Sequence, residues 1–227
     1  MFTEISRKRP RLADEVYSQL LDAVHRGDIA PDQRIVQERL AEELNISRTP
    51  VREALLRLEQ DGILVAAGTG GFVIRSITED EVKEIYEARA AVEVQAARLL
   101  AAARDPRRNA IIRETIRKKE KLKSESTRDY FDANRSIHRC IVEQTRNRYL
   151  VEMFDNIWNR GFSFHLFAAI GSRNLAKSLG DHVSLIEAIE SGDVERTAKV
   201  FQDHITDGLE LQIEALKAAR DAVPGSA

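Results

Sequence analysis

The sequence predicts a mostly α-helical chain of two domains, and three observations carry that prediction. At 227 residues the chain exceeds the ~100–200 residues of an ordinary domain, which makes two the starting expectation. Five prolines and eleven glycines are too few for a chain rich in strands and turns, whereas Ala, Leu, Glu, Arg and Ile dominate. Apolar residues also recur at three- and four-residue steps along most of the length. With 43% hydrophobic and 32% charged residues the chain has apolar content enough to fold, so disorder is excluded as its main state.

Other classes fall away on composition. Cys140 is the single cysteine, so neither an internal disulfide nor a zinc-finger or redox cysteine pair exists, and a reducing compartment is expected. The first residues, MFTEISRKRPRL, are charged with no apolar core, and no stretch approaches the ~18 apolar residues of a membrane span. A cytoplasmic protein without membrane contact is the expectation. The net charge is −2, and residues 1–75 hold 11 Lys and Arg against 12 Asp and Glu. Any contact with nucleic acid must therefore rest on where the arginines point rather than on bulk charge.

The first helix is expected over Leu12 to Arg26, where Leu12, Val16, Leu20 and Val24 share a face. Gly27 ends it, and the residues around Pro31 read as a turn. A short second helix, Gln37 to Leu44, buries Leu40 and Leu44 and stops at Asn45, which tolerates the left-handed conformation. Ile46 fills the turn. Ser47 is the N-cap of a third helix, with Pro50 in the first turn, where a missing N–H costs nothing. Val51, Ala54, Leu55 and Leu58 form its packing face, and Arg48, Thr49, Arg52 and Arg57 lie on or beside the other. After Gly62, the β-prone runs Ile63-Leu64-Val65 and Phe72-Val73-Ile74 flank Gly68-Thr69-Gly70-Gly71 as a hairpin.

Three short helices and a hairpin in this order are those of a winged helix-turn-helix, whose third helix enters the major groove of DNA. Arg48 and Arg52, four residues apart, suit guanine edges or phosphates, and Thr49 suits a phosphate or a thymine methyl. The alternative is an ordinary solvated helix face with Glu53 and Glu59 as counter-charges. The string LAEELNISRTPVREALLRLEQDGIL, residues 40–64, with the wing GTGGFVIR, resembles the signature of the GntR family of bacterial transcription regulators. The resemblance implies that Arg48, Thr49, Arg52 and the wing glycines Gly70 and Gly71 contact DNA. Many members carry an arginine two positions before the residue matching Leu40; here that position is Glu38, and the arginine of the second helix is Arg39. Arg39 is its candidate contact, and the cluster Arg7, Lys8, Arg9 and Arg11 is either a source of further phosphate contacts or a solubilising tail.

A boundary at residues 76–78 divides a domain at 1–75 from a second at 76–227, because the pattern from Thr78 onward is entirely helical. Thr78 with Glu81 forms a capping box. Six helices are expected, near 79–104, 106–123, 127–146, 148–170, 174–191 and 193–220. On the first, the stripe Val82, Ile85, Arg89, Val92, Ala96 and Leu99 sets an arginine in a core-facing place. On the third, Asn134 and His138 share a face with Phe131 and Ile141. His182 leads Leu185, Ile186 and Ile189, and His204 follows Val200 and Phe201. Buried polar groups need partners. Each histidine alone reads as a hydrogen-bonded core residue, whereas three together with Asn134 suit a divalent metal inside a bundle. Arg89 binds either a ligand carboxylate, which its planar fork matches, or an internal carboxylate. His165, in the aromatic run 162–167, reads as packing or subunit contact.

The segments EIYEARAAVEVQAARLLA, ANRSIHRCIVEQTRNRYL and DHVSLIEAIESGDVERTAKVFQDHI resemble the FCD ligand-binding domain of FadR-type GntR regulators, in its six-helix, VanR-like variety. The family's metal set, an Asp and a His four apart and two later His, maps onto Asn134, His138, His182 and His204, with Asn134 replacing the carboxylate. Asp132, two residues away, falls on another face. The leading expectation is a regulator with a divalent transition metal such as zinc or nickel and a small carboxylate effector held with Arg89, acting as a homodimer that represses transcription from a pseudo-palindromic double-stranded operator. A metalloenzyme is the rival class, but the chain has no Glu-x-x-His, no His-Glu-x-x-His and no nucleophile paired with a base. A DNA-binding module with a purely structural helical bundle is the third.

Overall fold

The computed structural model describes residues 12–26, 28–30, 33–68, 70–76, 78–123, 126–158 and 181–221. The chain forms two compact units, Met1–Ser76 and Ile77–Ala227, and is mostly helical. The basic cluster at residues 7–11 and the stretch 159–180, which holds His165 and the expected helix beyond Trp158, lie outside the described residues. None of the described helices is long and apolar enough to cross a membrane.

In the first unit α1 (Leu12–Arg26), α2 (Gln37–Glu43) and α3 (Arg48–Gln60) precede an antiparallel pair, β1 (Leu64–Ala66) and β2 (Phe72–Ile74). The strand register pairs Leu64 with Ile74, Val65 with Val73 and Ala66 with Phe72. Val16, Leu20 and Val24 of α1 pack with Val51, Ala54, Leu55 and Leu58 of α3 in one core, while Leu12, at the first turn, stays exposed. In α2 Ala41 is the buried residue, and Leu40 and Leu44 pack only partly against the core. Asn45 takes the left-handed conformation at φ 50°. Ser47 occupies the N-cap of α3 in extended backbone, but its hydroxyl makes no capping bond.

One feature of the wing had no signal in the sequence. Ile35 and Phe72 form an antiparallel bridge, the Ile35 N–H donating to Phe72 O at 2.7 Å and the Phe72 N–H to Ile35 O at 2.8 Å. The connection between α1 and α2 is thereby stitched to the base of the hairpin. Gly71 allows the approach: its φ is +87°, and a Cβ there would stand 2.7 Å from the Ile35 carbonyl oxygen.

In the second unit the described helices are α4 (Glu79–Ala103), α5 (Pro106–Lys119), α6 (Thr127–Gln144), α7 (Arg148–Trp158), α8 (Val183–Ser191) and α9 (Val194–Asp221). The capping box starts α4, with the Glu81 N–H donating to Thr78 Oγ1 at 3.2 Å and the Thr78 N–H to Glu81 Oε2 at 3.1 Å. Asp105 caps α5 by accepting from the Arg107 and Arg108 N–H groups, with Pro106 beginning the helix. Gly192, at φ 67°, ends α8. Leu100, Ile112, Ile116, Ile137, Ile141, Phe154, Leu185 and Phe201 meet in the core, and α9 lies against α4 along much of its length.

Two expectations are corrected. Leu99 is 41% exposed, and Leu100 takes its place in the core. Stepping from Val82 to Leu99 averages about 3.4 residues, short of the helical ~3.6, so that stripe slips off the buried face. The buried residues of α4 are Val82, Tyr86, Arg89, Val92, Glu93, Ala96, Ala97, Leu100 and Ala101. Of the helix expected over 174–191, residues 174–180 lie outside the described residues, and α8 begins later, at Val183, with His182 as its N-cap and the His182 N–H donating to Glu120 Oε1.

Candidate functional site

In the first unit the amphipathic pattern of α3 turns Arg48, Thr49 and Arg52 outward, and all three are exposed. Arg52 makes no ion pair among the described residues. Arg48 Nη1 lies 3.5 Å from Glu38 Oε1, a contact between side chains 67% and 51% exposed, and such surface pairs contribute ~0–1 kcal/mol. Arg57 belongs elsewhere: its Nη1 donates to Asp14 Oδ1 at 3.0 Å and its guanidinium covers the Tyr17 ring at 4.2 Å, while the Tyr17 hydroxyl donates to Asp61 Oδ2 at 2.6 Å. It ties α3 to α1. Arg39 pairs with Glu43 at 3.3 Å on the exposed surface of α2. Gly70 and Gly71 lie at the wing, both at positive φ, so closing the hairpin is a second reason for them to be glycine.

In the second unit three helices bring His138, His182 and His204 together. His138 lies within α6, His182 at the start of α8 and His204 within α9. His138 Nε2 is 3.2 Å from His182 Nε2 and 3.3 Å from His204 Nε2, and the three nitrogens lie within 4.8 Å of one another. Two imidazoles on one ion, each ~2.1 Å from it, stand about 3.0–3.4 Å apart between octahedral and tetrahedral angles. The spacing fits a divalent metal. His138 Nδ1 is 2.6 Å from Glu93 Oε2, so the ring turns Nδ1 toward that carboxylate and Nε2 toward the other two imidazoles. Asn134, one turn earlier on α6, is 7% exposed, and its Oδ1 has no hydrogen-bond partner among the described residues. Three convergent nitrogens are a donor set that a cation satisfies, and Asn134 Oδ1, on the same face of α6 as His138, is a candidate fourth donor. Asp132 is exposed and pairs with Arg128 at 3.1 Å, away from this set.

Glu93 is the residue that sequence reasoning missed. At 1% exposure, its Oε1 accepts from Arg89 Nε at 3.1 Å and from Trp158 Nε1 at 3.2 Å, while Oε2 faces His138. Burial pushes its carboxyl up, but His138 and Arg89 together outweigh burial and hold it well below the usual carboxylate range. Arg89, 9% exposed, is clamped between the Tyr86 and Trp158 rings, 4.6 and 4.5 Å from their centroids. The internal carboxylate is thus one partner of Arg89, and that carboxylate joins it to the triad. Burial, with His138 and His182 beside it, pushes His204 well below 6.5, so its imidazole is neutral. A signal for Glu93 was present: it stands four residues after Arg89 among Val92, Val94, Ala96 and Ala97. None marked Trp158. Cys140 is half-buried beside Thr115, and burial pushes its thiol up, unlike a nucleophile's.

A winged helix-turn-helix carried in one chain with a helical domain built around a buried polar centre is the plan of a DNA-binding regulator that senses a ligand. Residues 12–74 match the gntR family of bacterial regulatory proteins, and residues 84–207 match the FCD domain. The chain belongs to the GntR family of transcription regulators, in the branch that carries an FCD ligand-binding domain. It is 28% identical over 205 residues to McbR, an HTH-type transcriptional regulator of Escherichia coli, covering 87% of this chain and 93% of that one. It is 27% identical over 198 residues to the HTH-type regulator YdhC of Bacillus subtilis, covering 86% and 88%. Among solved structures, E. coli McbR/YncC superimposes with a TM-score of 0.61 at 23% identity, covering 91% of this chain and 99% of that one. A putative GntR regulator from Rhodococcus sp. RHA1 gives 0.65 at 19%, covering 89% and 98%. These relatives are transcription regulators, not enzymes.

Proposed function

We propose that this regulator is a repressor that binds a pseudo-palindromic operator as a homodimer and releases it on binding a small carboxylate, with residues 1–75 reading DNA and 76–227 holding the effector and the dimer. Arg48, Thr49 and Arg52 enter the major groove, Arg39 meets the backbone, and the wing at Gly70 and Gly71 approaches the neighbouring minor groove. Exposed Arg52, free of counter-charge among the described residues, supports this reading.

The observation that carries the sensing half is the convergence of three imidazole nitrogens at 3.2 and 3.3 Å. His138, His182, His204 and Asn134 would hold a divalent transition metal such as zinc or nickel. When bound, the metal supplies a Lewis-acidic anchor for a carboxylate. Its donors are all neutral, so an anionic effector brings the charge that an Asp at position 134 would have brought. Arg89, held flat by two rings, presents its fork to that anion.

Two experiments test the reading. Mass spectrometry on protein purified without chelator or a metal column should find near-stoichiometric metal, lost in the His138→Ala, His182→Ala double variant; no metal in either overturns the metal site and favours a purely structural bundle. Selection from a random duplex pool should return an inverted repeat, and a single asymmetric site would overturn the dimeric operator.

A further inference from the structure

His138 and His204 are held inside long helices, where the backbone ladder fixes them. His182 is not. It is the N-cap of α8, at φ −83° and ψ −14°, and follows a turn at Asp181. Its side chain is fully buried in the triad and makes no capping bond, so the first N–H groups of α8 need an acceptor from outside. Glu120 supplies it. At the C-cap of α5, 62 residues away in sequence, its Oε1 accepts from the His182 N–H at 3.1 Å. The Val183 N–H also stabilises this carboxylate, whose pKa burial otherwise raises. Glu120 is partly buried and has no ion pair with a cation among the described residues, although Lys119 and Lys121 flank it.

We propose that Glu120 is a positioning residue for the histidine triad, holding the backbone of His182 so that its Nε2 meets that of His138. Two carboxylates then serve the centre, Glu93 through the His138 ring and Glu120 through the His182 main chain. This role rests on the metal reading above. A shift of the α8 start would carry the His182 ring with it, because ring and N–H belong to the same residue and the N–H is held by Glu120 Oε1.

The test is cobalt(II) titration of the full-length metal-free protein, followed by visible absorption, alongside thermal melts. Glu120→Ala should weaken cobalt binding about 10–100-fold and alter the ligand-field bands. Glu120→Gln, which keeps an acceptor oxygen at the same reach, should restore both. Asp105→Ala removes a comparable two-bond cap at the far end of α5; it should lower the melting temperature and leave cobalt affinity unchanged. Wild-type affinity in Glu120→Ala, or an equal loss in Asp105→Ala, would overturn the role. Should the alanine variant fail to fold, Glu120→Asp, one methylene short, should show the same loss, and wild-type affinity there overturns the role. Failure of the wild type to bind cobalt would instead remove the metal reading itself, and this role with it.

Discussion

Arg52 and Arg57 sit on one helix and have different employment. Arg57 is held by Asp14 and Tyr17, whereas Arg52 has no counter-charge among the described residues. Arg52→Ala should weaken operator binding by about 1–3 kcal/mol, read by fluorescence anisotropy, if it contacts a base; an unchanged isotherm would remove that contact. Arg57→Ala should leave operator affinity unaltered and change stability by less than ~1 kcal/mol. Glu93 has far more at stake, because it is buried and serves Arg89, Trp158 and His138 at once. Glu93→Gln leaves Arg89 buried without its counter-charge, and urea unfolding should show a loss of roughly 3–5 kcal/mol. A loss below ~1 kcal/mol would mean that the ion pair is no more than a surface-type contact.

At the scale of elements, the wing and the three histidine-bearing segments behave differently under perturbation. Gly71→Ala meets the Ile35 carbonyl at 2.7 Å from a positive φ and should destabilise the chain by about 1–3 kcal/mol, whereas Gly68→Ala, with nothing within 4 Å, should be nearly neutral. Equal melting temperatures for the two would refute the wing-closure argument. Acid should loosen the metal-free helical unit. The folded chain keeps His204 neutral, with its pKa well below 6.5, while the unfolded chain protonates it there; the stability this contributes is present above 6.5 and lost as pH falls through that range. Glu93, depressed below 4.5 in the fold, acts in the same direction at lower pH: its contribution is present above 4.5 and lost on further acidification. The urea midpoint should therefore fall between about pH 7.5 and about pH 5.5, and a rise would contradict the neutral assignment of His204.

At the scale of the molecule, effector and operator can be coupled only if the effector binds the DNA-competent and DNA-incompetent arrangements with different affinity. Arg89 is where that difference is testable. Removing its side chain would strand Glu93, so Arg89→Lys is the informative change: it keeps a cation against Glu93 but loses the fork. Operator binding should persist and release by a panel of small carboxylates should be lost, both read by mobility shift. A normal response would leave Arg89 with a structural task alone.

Much of this was legible in one dimension. Capping chemistry placed the start of α4, the left-handed tolerance of Asn45 placed the turn before α3, and four-residue spacing put Asn134 on the face of His138 and turned three histidines inward. What the folded chain alone decided is who meets whom. Periodicity encodes which face of a helix is buried but not what it is buried against, so Glu93 between Arg89 and His138, Trp158 over both, Glu120 at the start of α8 and Ile35 at the base of the wing became visible only in three dimensions. Each joins residues from separate elements, and such distances are set by packing and not by any local propensity.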